Sequence, residues 1–339
     1  MSSEYTQINV KAFEVVGAGR NLLSSLGLFH AEATPDFRIS LDHIVVNDAD
    51  GLSVNERFNY SDYNIQAAPR FSNYAFSLPH TVTKGVVTNA DVLGKRRFGG
   101  GESDQAIMAD LVSQKAITQH NGYLRTKELQ LAHSLFSNTV DLGVEGSLDV
   151  SAELGISQSV GTALDLSAPT THPMKDIMGK RNQLVKSLQS LSNKVTGIFV
   201  FMGDEAFTAL KYNDLIRDDY KHTVNPEVNP LVKFSEELEV FESMTLNNIT
   251  FINVGMDSEL AAVVGDDAFM VPRFSADAGV MSTYHGPAAR NGKIHAVAPY
   301  YAYTFQDNYG SVSVESEFSS LPINKLPSAV LKFPVTLAA

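Results

Sequence analysis

Between Asp104 and Asn138 the sequence carries its longest helical pattern, and no other feature limits the fold as strongly. Ile107, Leu111, Ile117, Leu124, Leu131 and Leu135 recur at sums of three and four residues, with charged positions between them. That is the stripe of an amphipathic helix. At 1.5 Å per residue it would run roughly 50 Å, longer than an ordinary globular helix, and so it reads as a structural spar. Ser103 or Asp104 is placed to cap its start. Gly122 inside the stripe is expected to mark a bend.

The pattern on either side of the spar differs. Residues 1–35 are irregular apart from "NLLSSLGLF", where Leu22, Leu23, Leu26 and Phe29 fall at helical spacing, and this predicts a short helix in an arm. From Asp36 to about His80 the pattern is strand: "FRISLDHIVV", the turn "NDADG", then "LSVNERFNY" and "RFSNYAFSLPH". Together they predict a long hairpin, which is marginal alone in water and must lie on its own body or on a neighbouring subunit. The connector "GKRRFGGGESDQ" sets Lys95, Arg96 and Arg97 before Gly99, Gly100 and Gly101, and reads as a flexible hinge with a basic patch. Beyond Val140, strands and turns run to about Thr171. A helix follows in "MKDIMGKRNQLVKSLQSLSN", a buried strand in "KVTGIFVFM" and a third helix in "GDEAFTALKYNDLIRDDY". Strands are expected at "NITFINVG", "DAFMVPR", "SVSVESEF" and "SAVLKFPVTL". Strands and helices fall in segregated groups, which gives an α+β class.

Chemistry is sought and not found. The 339 residues, 44% hydrophobic, fill a substantial core, and the absence of cysteine removes disulfides, thiolate metal sites and cysteine nucleophiles. A net charge of −12 with no basic arm argues against a surface that grips nucleic acid, although a negative wall can stand beside DNA. No signal peptide and no membrane-length apolar run is visible, so a soluble, cytoplasmic product is expected. "VVGAGRNLL" begins like a dinucleotide turn, but Leu22 stands where the third glycine belongs and a hairpin follows where βαβ units should. "GKRRFGGG" has its lysine before the glycines, the reverse of a phosphate loop. The nine histidines show no metal spacing, and the acidic turns at Glu236–Glu239 and Asp266–Asp267 lack the spacing of an oxygen cage. No catalytic, cofactor or metal site is expected, and an enzyme is not.

The order of parts, however, has a likeness. The arm "NLLSSLGLF", the stretch "FSLPHTVTKGVVTNADVLGKRRFG", the helix "AIMADLVSQKAITQHNGYLRTKELQLAHSLF", the late "DDAFMVPRFSADAGVMSTYHGPAARN" and the final "SSLPINKLPSAVLKFPV" together resemble the lambda-type major capsid protein E family of tailed phages. The resemblance implies the coat-protein fold named after phage Hong Kong 97. It implies an N-arm at 1–35, the E-loop within 36–90, a peripheral domain with its spine helix at 91–170, an axial domain at 171–300, and a return through the peripheral sheet at 301–339. It further implies self-assembly into hexamers and pentamers of an icosahedral head around double-stranded DNA. Portal, scaffold and a decoration protein would be partners, no membrane would be involved, and the shell would be assembled in the host cytoplasm and found in the virion. Candidate interface or hinge residues are Leu22, Leu26, Phe29, Arg57, Arg70, Lys95, Arg96, Arg97, Gly99, Gly100 and Gly101. Asp36 to His80 contains no lysine, so the isopeptide lock of some coats of this fold is not expected. The competing readings are an encapsulin-like compartment shell and, resting on Gly17 and Gly19 alone, an NAD-binding enzyme.

Overall fold

The computed structural model describes residues 6–7, 21–42, 73–95, 103–142, 146–167, 172–220, 241–289, 297–308 and 310–337. The expected spar is the helix Asp104–Ala132, which passes unbroken through Gly122 and ends in one π-helical turn, His133–Ser137. Ser103 caps it, with Oγ accepting from the Ala106 N–H at 3.3 Å. The chain leaves through Asn138 at φ 52°, in the left-handed region that asparagine tolerates. The buried positions are Ile107, Ala116, Tyr123, Glu128, Leu131 and Ala132, so the middle of the predicted stripe is turned by one residue. Packing explains the turn: Ala116 sits against Val314, and Tyr123 stacks on Tyr300 and Phe318 at 4.9 Å each. Ile117 and Leu124 flank these contacts, half-buried.

The helix lies across a sheet whose centre is the 13-residue strand Val312–Asn324. Antiparallel partners of that strand are His80–Val87, Tyr301–Gln306 and Met281–His285. His30–Ala33 adds in parallel beside Met281–His285, and Thr6–Gln7 pairs with Tyr301–Gln306. Alternation in "SVSVESEF" predicts a half-exposed strand. Instead Ser316, Glu317, Ser319 and Ser320 are buried along with the apolar residues. Hydrogen bonds make that burial tolerable. The Glu317 carboxylate accepts from the Tyr303 hydroxyl at 3.0 Å and the Ala289 N–H at 3.2 Å, and lies 3.0 Å from His80 Nε2. Ser320 Oγ donates to Gln130 on the long helix at 2.8 Å.

The second sheet runs in the order Ser243–Leu246, Ile249–Asn253, Val195–Met202, Asp267–Phe274, Leu331–Thr336, Ser159–Val160, with Leu164–Asp165 also on Leu331–Thr336. Its central strands are nearly continuous apolar runs, as sheets covered on both faces require. Phe201, Phe251, Phe269 and Phe333 are fully buried there. The far end of the long helix enters this core: Phe136 stacks on Phe201 at 5.3 Å and on Phe269 at 5.0 Å. The helix Pro173–Leu188 packs on the same core and continues as a 3₁₀ turn, Gln189–Lys194.

Two expectations drawn from the sequence are corrected. The expected third helix is two, Asp204–Lys211 and Asp214–Tyr220, because Asn213 starts a new cap and its Oδ1 accepts from the Leu215 N–H at 3.1 Å. Short helices at Asn89–Lys95, Val150–Leu154 and Ser258–Val264 were not expected. Of the predicted hairpin, the base is described, with Arg38–Asp42 antiparallel to Asn73–Ser77; its remainder lies outside the described residues.

Arg125 ties the spar to the start of the helix Ser258–Val264. Arg125 reaches Asp257 with both terminal nitrogens, Nη1 to Oδ2 at 2.5 Å and Nη2 to Oδ1 at 2.8 Å, and also pairs with Glu259. Asp257 is at the same time the N-cap of Ser258–Val264, accepting from the N–H groups of Glu259 at 3.0 Å and Leu260 at 3.4 Å. The Arg125 fork, ahead of the backbone donors, holds the Asp257 carboxyl below the usual carboxylate range.

Candidate assembly surfaces

Two features of this body bear on how copies could meet. The first is the arm. Leu22–Leu26 forms a helix closed by Gly27 at φ 58°, and its N-cap residue, Asn21, makes no side-chain cap. The missing cap comes from the spar: the Glu128 carboxylate accepts from the Leu23 N–H, from the Ser24 N–H at 3.2 Å and from Ser24 Oγ at 2.9 Å. Burial pushes the Glu128 carboxyl up, while these donors and neighbouring Lys127 oppose the shift. Leu22, Leu23 and Leu28 are buried in the main core, and Leu26 and Phe29 pack half-exposed against it.

The second feature is the strand His80–Val87. Among the described residues it pairs only with the central strand, so its other edge presents open N–H and C=O groups. Val82 and Val86 stand on one of its faces, 37% and 43% exposed, around Lys84, which reaches Glu315 at 2.9 Å. Just beyond, Leu93 of Asn89–Lys95 is 62% exposed. A long edge strand with exposed apolar side chains is a template for pairing with another chain.

The model of the family "Phage major capsid protein E" matches residues 63–335. This chain belongs to that family. It is therefore a capsid shell protein, a structural component of the virion whose copies associate with one another. A search of curated proteins finds no match. Among solved structures, a prophage protein assigned as a capsid protein from Escherichia coli CFT073 is similar at 12% identity, covering 98% of this chain and 100% of that one, with a TM-score of 0.56. The capsid of cyanophage A-1(L) is similar at 10% identity over 94% of this chain and 92% of that one, TM-score 0.52. An encapsulin from Synechococcus elongatus PCC 7942 reaches 10% identity over 98% and 92%, TM-score 0.50. These likenesses establish the Hong Kong 97-type fold, which compartment shells share. The family match, made on sequence, favours the phage coat.

Of the candidate residues in this capsid protein, Leu22, Leu26 and Phe29 come together against the protein's own core. Lys95 ends the helix Asn89–Lys95, exposed, with Nζ 3.5 Å from Asp110 and 3.0 Å from Gln114 on the spar of the same chain. Arg57, Arg70, Arg96, Arg97, Gly99, Gly100 and Gly101 lie outside the described residues, as do Gly17 and Gly19 of the rejected dinucleotide turn. Among the described residues no cluster of three or more His, Asp or Glu side chains is arranged to hold a metal, and no helix is long and apolar enough to cross a membrane. Sequence reasoning missed Glu128 and Asp257, the two carboxylates that fasten elements to the spar. Asp257 carried a signal, since "DSELAAVVG" sets an N-cap acid ahead of an apolar run and a closing glycine. Glu128 carried none: one acidic residue among the spar's charges looks solvated until the arm is laid on it.

Proposed function

We propose that this capsid protein forms the hexamers and pentamers of an icosahedral phage head enclosing double-stranded DNA. In this reading residues 1–35 are the N-arm, 36–90 contain the E-loop, 91–170 carry the spine helix of the peripheral domain, 171–300 form the axial domain, and 301–339 return through the peripheral sheet. The observation that carries it is the family match over residues 63–335. The open edge of His80–Val87 supports it, because a shell subunit needs surfaces that are unsatisfied in one copy and paired in the next. A net charge of −12 suits a wall that holds DNA without binding it. Portal, scaffold and a decoration protein are the expected partners, and the host cytoplasm is the expected site of assembly. Electron microscopy of the purified protein tests the proposal: closed shells or capsomer rings support it, and discrete small oligomers overturn it.

Two expected results belong with this reading. Because Asp36 to His80 contains no lysine, mature shells boiled in detergent should run as a single monomer-size band; a ladder of crosslinked chains would contradict this. Replacing Val86 by glutamate puts a charge on the exposed edge face. It should leave subunit stability within about 0.5 kcal/mol, the usual range for a surface change, while lowering shell yield several-fold as scored by sedimentation. Unchanged shell yield would remove this edge from the interface.

A further inference from the structure

A cavity of about 50 Å³ lies where the arm helix, the strands His30–Ala33 and Met281–His285, and the spar meet. Leu23 and Phe29 line its apolar side; Ser24, Thr283, Lys127 and His285 line its polar side. His285 is 95% buried, being 5% exposed, and its Nδ1 has no hydrogen-bond partner among the described residues. Lys127 has Glu128 as its charged neighbour. The nearby acids are engaged elsewhere. Glu128 holds the arm helix and Glu32 accepts from Ser282 Oγ at 2.5 Å.

Two side chains able to carry positive charge thus converge on one polar cavity whose neighbouring carboxylate, Glu128, is taken up by the arm helix. We propose that this cavity is a seat for a single oxyanion, a carboxylate or a phosphate, held between the Lys127 ammonium and the His285 imidazole. Burying a cation is costly unless it is paired and hydrogen-bonded, and an anion here would supply both. The size agrees. A water needs about 10–15 Å³ by the same measure, so the cavity accepts a group of a few heavy atoms and no extended ligand. The oxyanion has two sources: a free inorganic ion, or an acidic side chain of a second copy of this chain.

Burial, and then the charge of Lys127, lower His285 to about 4, and burial lowers Lys127 as well. An anion opposes both shifts. An anion favours the protonated imidazole, so the affinity for a carboxylate, whose own charge is constant over this range, should rise as pH falls from neutrality toward 5. Titratable groups on the elements packed around His285 include Lys127, Glu128 and Arg125 on the spar, His30 and Glu32 on His30–Ala33, and Glu315 and Glu317 on the central strand.

The test uses the full-length protein, unassembled and as shells, with inorganic phosphate as the probe and the His285 imidazole followed by NMR. A free-ion seat predicts saturable phosphate binding to unassembled protein, accompanied by a raised His285 pKa and weakened about tenfold in Lys127→Met, the contribution of one charge-assisted hydrogen bond. A neighbour's carboxylate predicts no phosphate binding but a raised His285 pKa on assembly, abolished in the same variant. That second arm alone rests on the shell reading; shells that form without a His285 shift, in protein that does not bind phosphate, overturn the seat and leave the shell standing. Phosphate binding unchanged in Lys127→Met also overturns it. Lys127→Met keeps the apolar stem at a half-buried position, so the test survives even if His285→Gln fails to fold.

Discussion

Replacing Asp257 by alanine should destabilise the unassembled subunit by about 4 kcal/mol, combining a broken, largely buried ion pair with a lost helix cap. The carboxylate is 2% exposed and has both oxygens engaged: the Arg125 fork on one side, the N–H groups of Glu259 and Leu260 on the other. Arg125 would keep only its contact to Glu259, which is half exposed and therefore weak. The expected result is a lower denaturation midpoint with an unchanged slope. Arg125→Lys, which keeps the charge but not the fork, should lose less than half as much. The pH dependence has a definite sign. The folded state holds the Asp257 carboxyl below its ordinary value of 3.8. Its contribution is therefore complete above that value and is lost as pH falls through the lowered one. The difference between wild type and Asp257→Ala should shrink in acid; a difference constant from pH 7 to pH 3 would refute the assignment.

The second large effect is expected at Glu128. Glu128→Ala leaves the N–H groups of Leu23 and Ser24 without their acceptor and opens space under the arm, a loss of about 3 kcal/mol. The effect should be local before it is global: limited proteolysis should cut within residues 21–35 of the variant and spare them in the wild type. Glu128→Gln retains one acceptor but turns an amide donor toward Ser24, and should fall between. Acid acts here in the opposite sense to Asp257. Burial raises the Glu128 carboxyl above 4.5, so the ionised form is the one the fold disfavours, and this penalty is relieved as pH falls through the raised value. Equal protease resistance of variant and wild type would mean that the apolar contacts of Leu22, Leu23 and Leu28 hold the arm by themselves.

Much of the fold was legible because its long elements have strong periods. The spar, the strand Val195–Met202 and the helix Pro173–Leu188 stand where the pattern sets them. The unexpected helices are five to seven residues long, too short to show a period, and are defined by caps such as Asp149, which accepts from the N–H groups of Ser151 and Ala152. The central strand was found, but not its burial. Alternating serine and valine signals one wet face, whereas here the spar covers the face that carries Val314, Phe318 and Ser320, and Glu317 on the opposite face is buried with hydrogen bonds to Tyr303 and Ala289. The stripe on the spar slipped by a residue because Ala116 and Tyr123 outrank Ile117 and Leu124 only once the partner surface is known. The likeness in the order of segments gave the family; Asp257 carried the pattern of a cap, but nothing in the sequence paired either clasping carboxylate with a partner about a hundred residues away.

The strand Val312–Asn324 also orders events in time. Three strands depend on it directly for pairing, and all three, His80–Val87, Met281–His285 and Tyr301–Gln306, leave the ribosome before it does. In the other sheet Leu331–Thr336, later still, holds Ser159–Val160 and Leu164–Asp165. A nascent chain short of these strands has both sheets open, however much of its helix has formed. Only a chain translated through them can close its sheets and present a finished edge, so an interrupted translation product cannot be built into the shell.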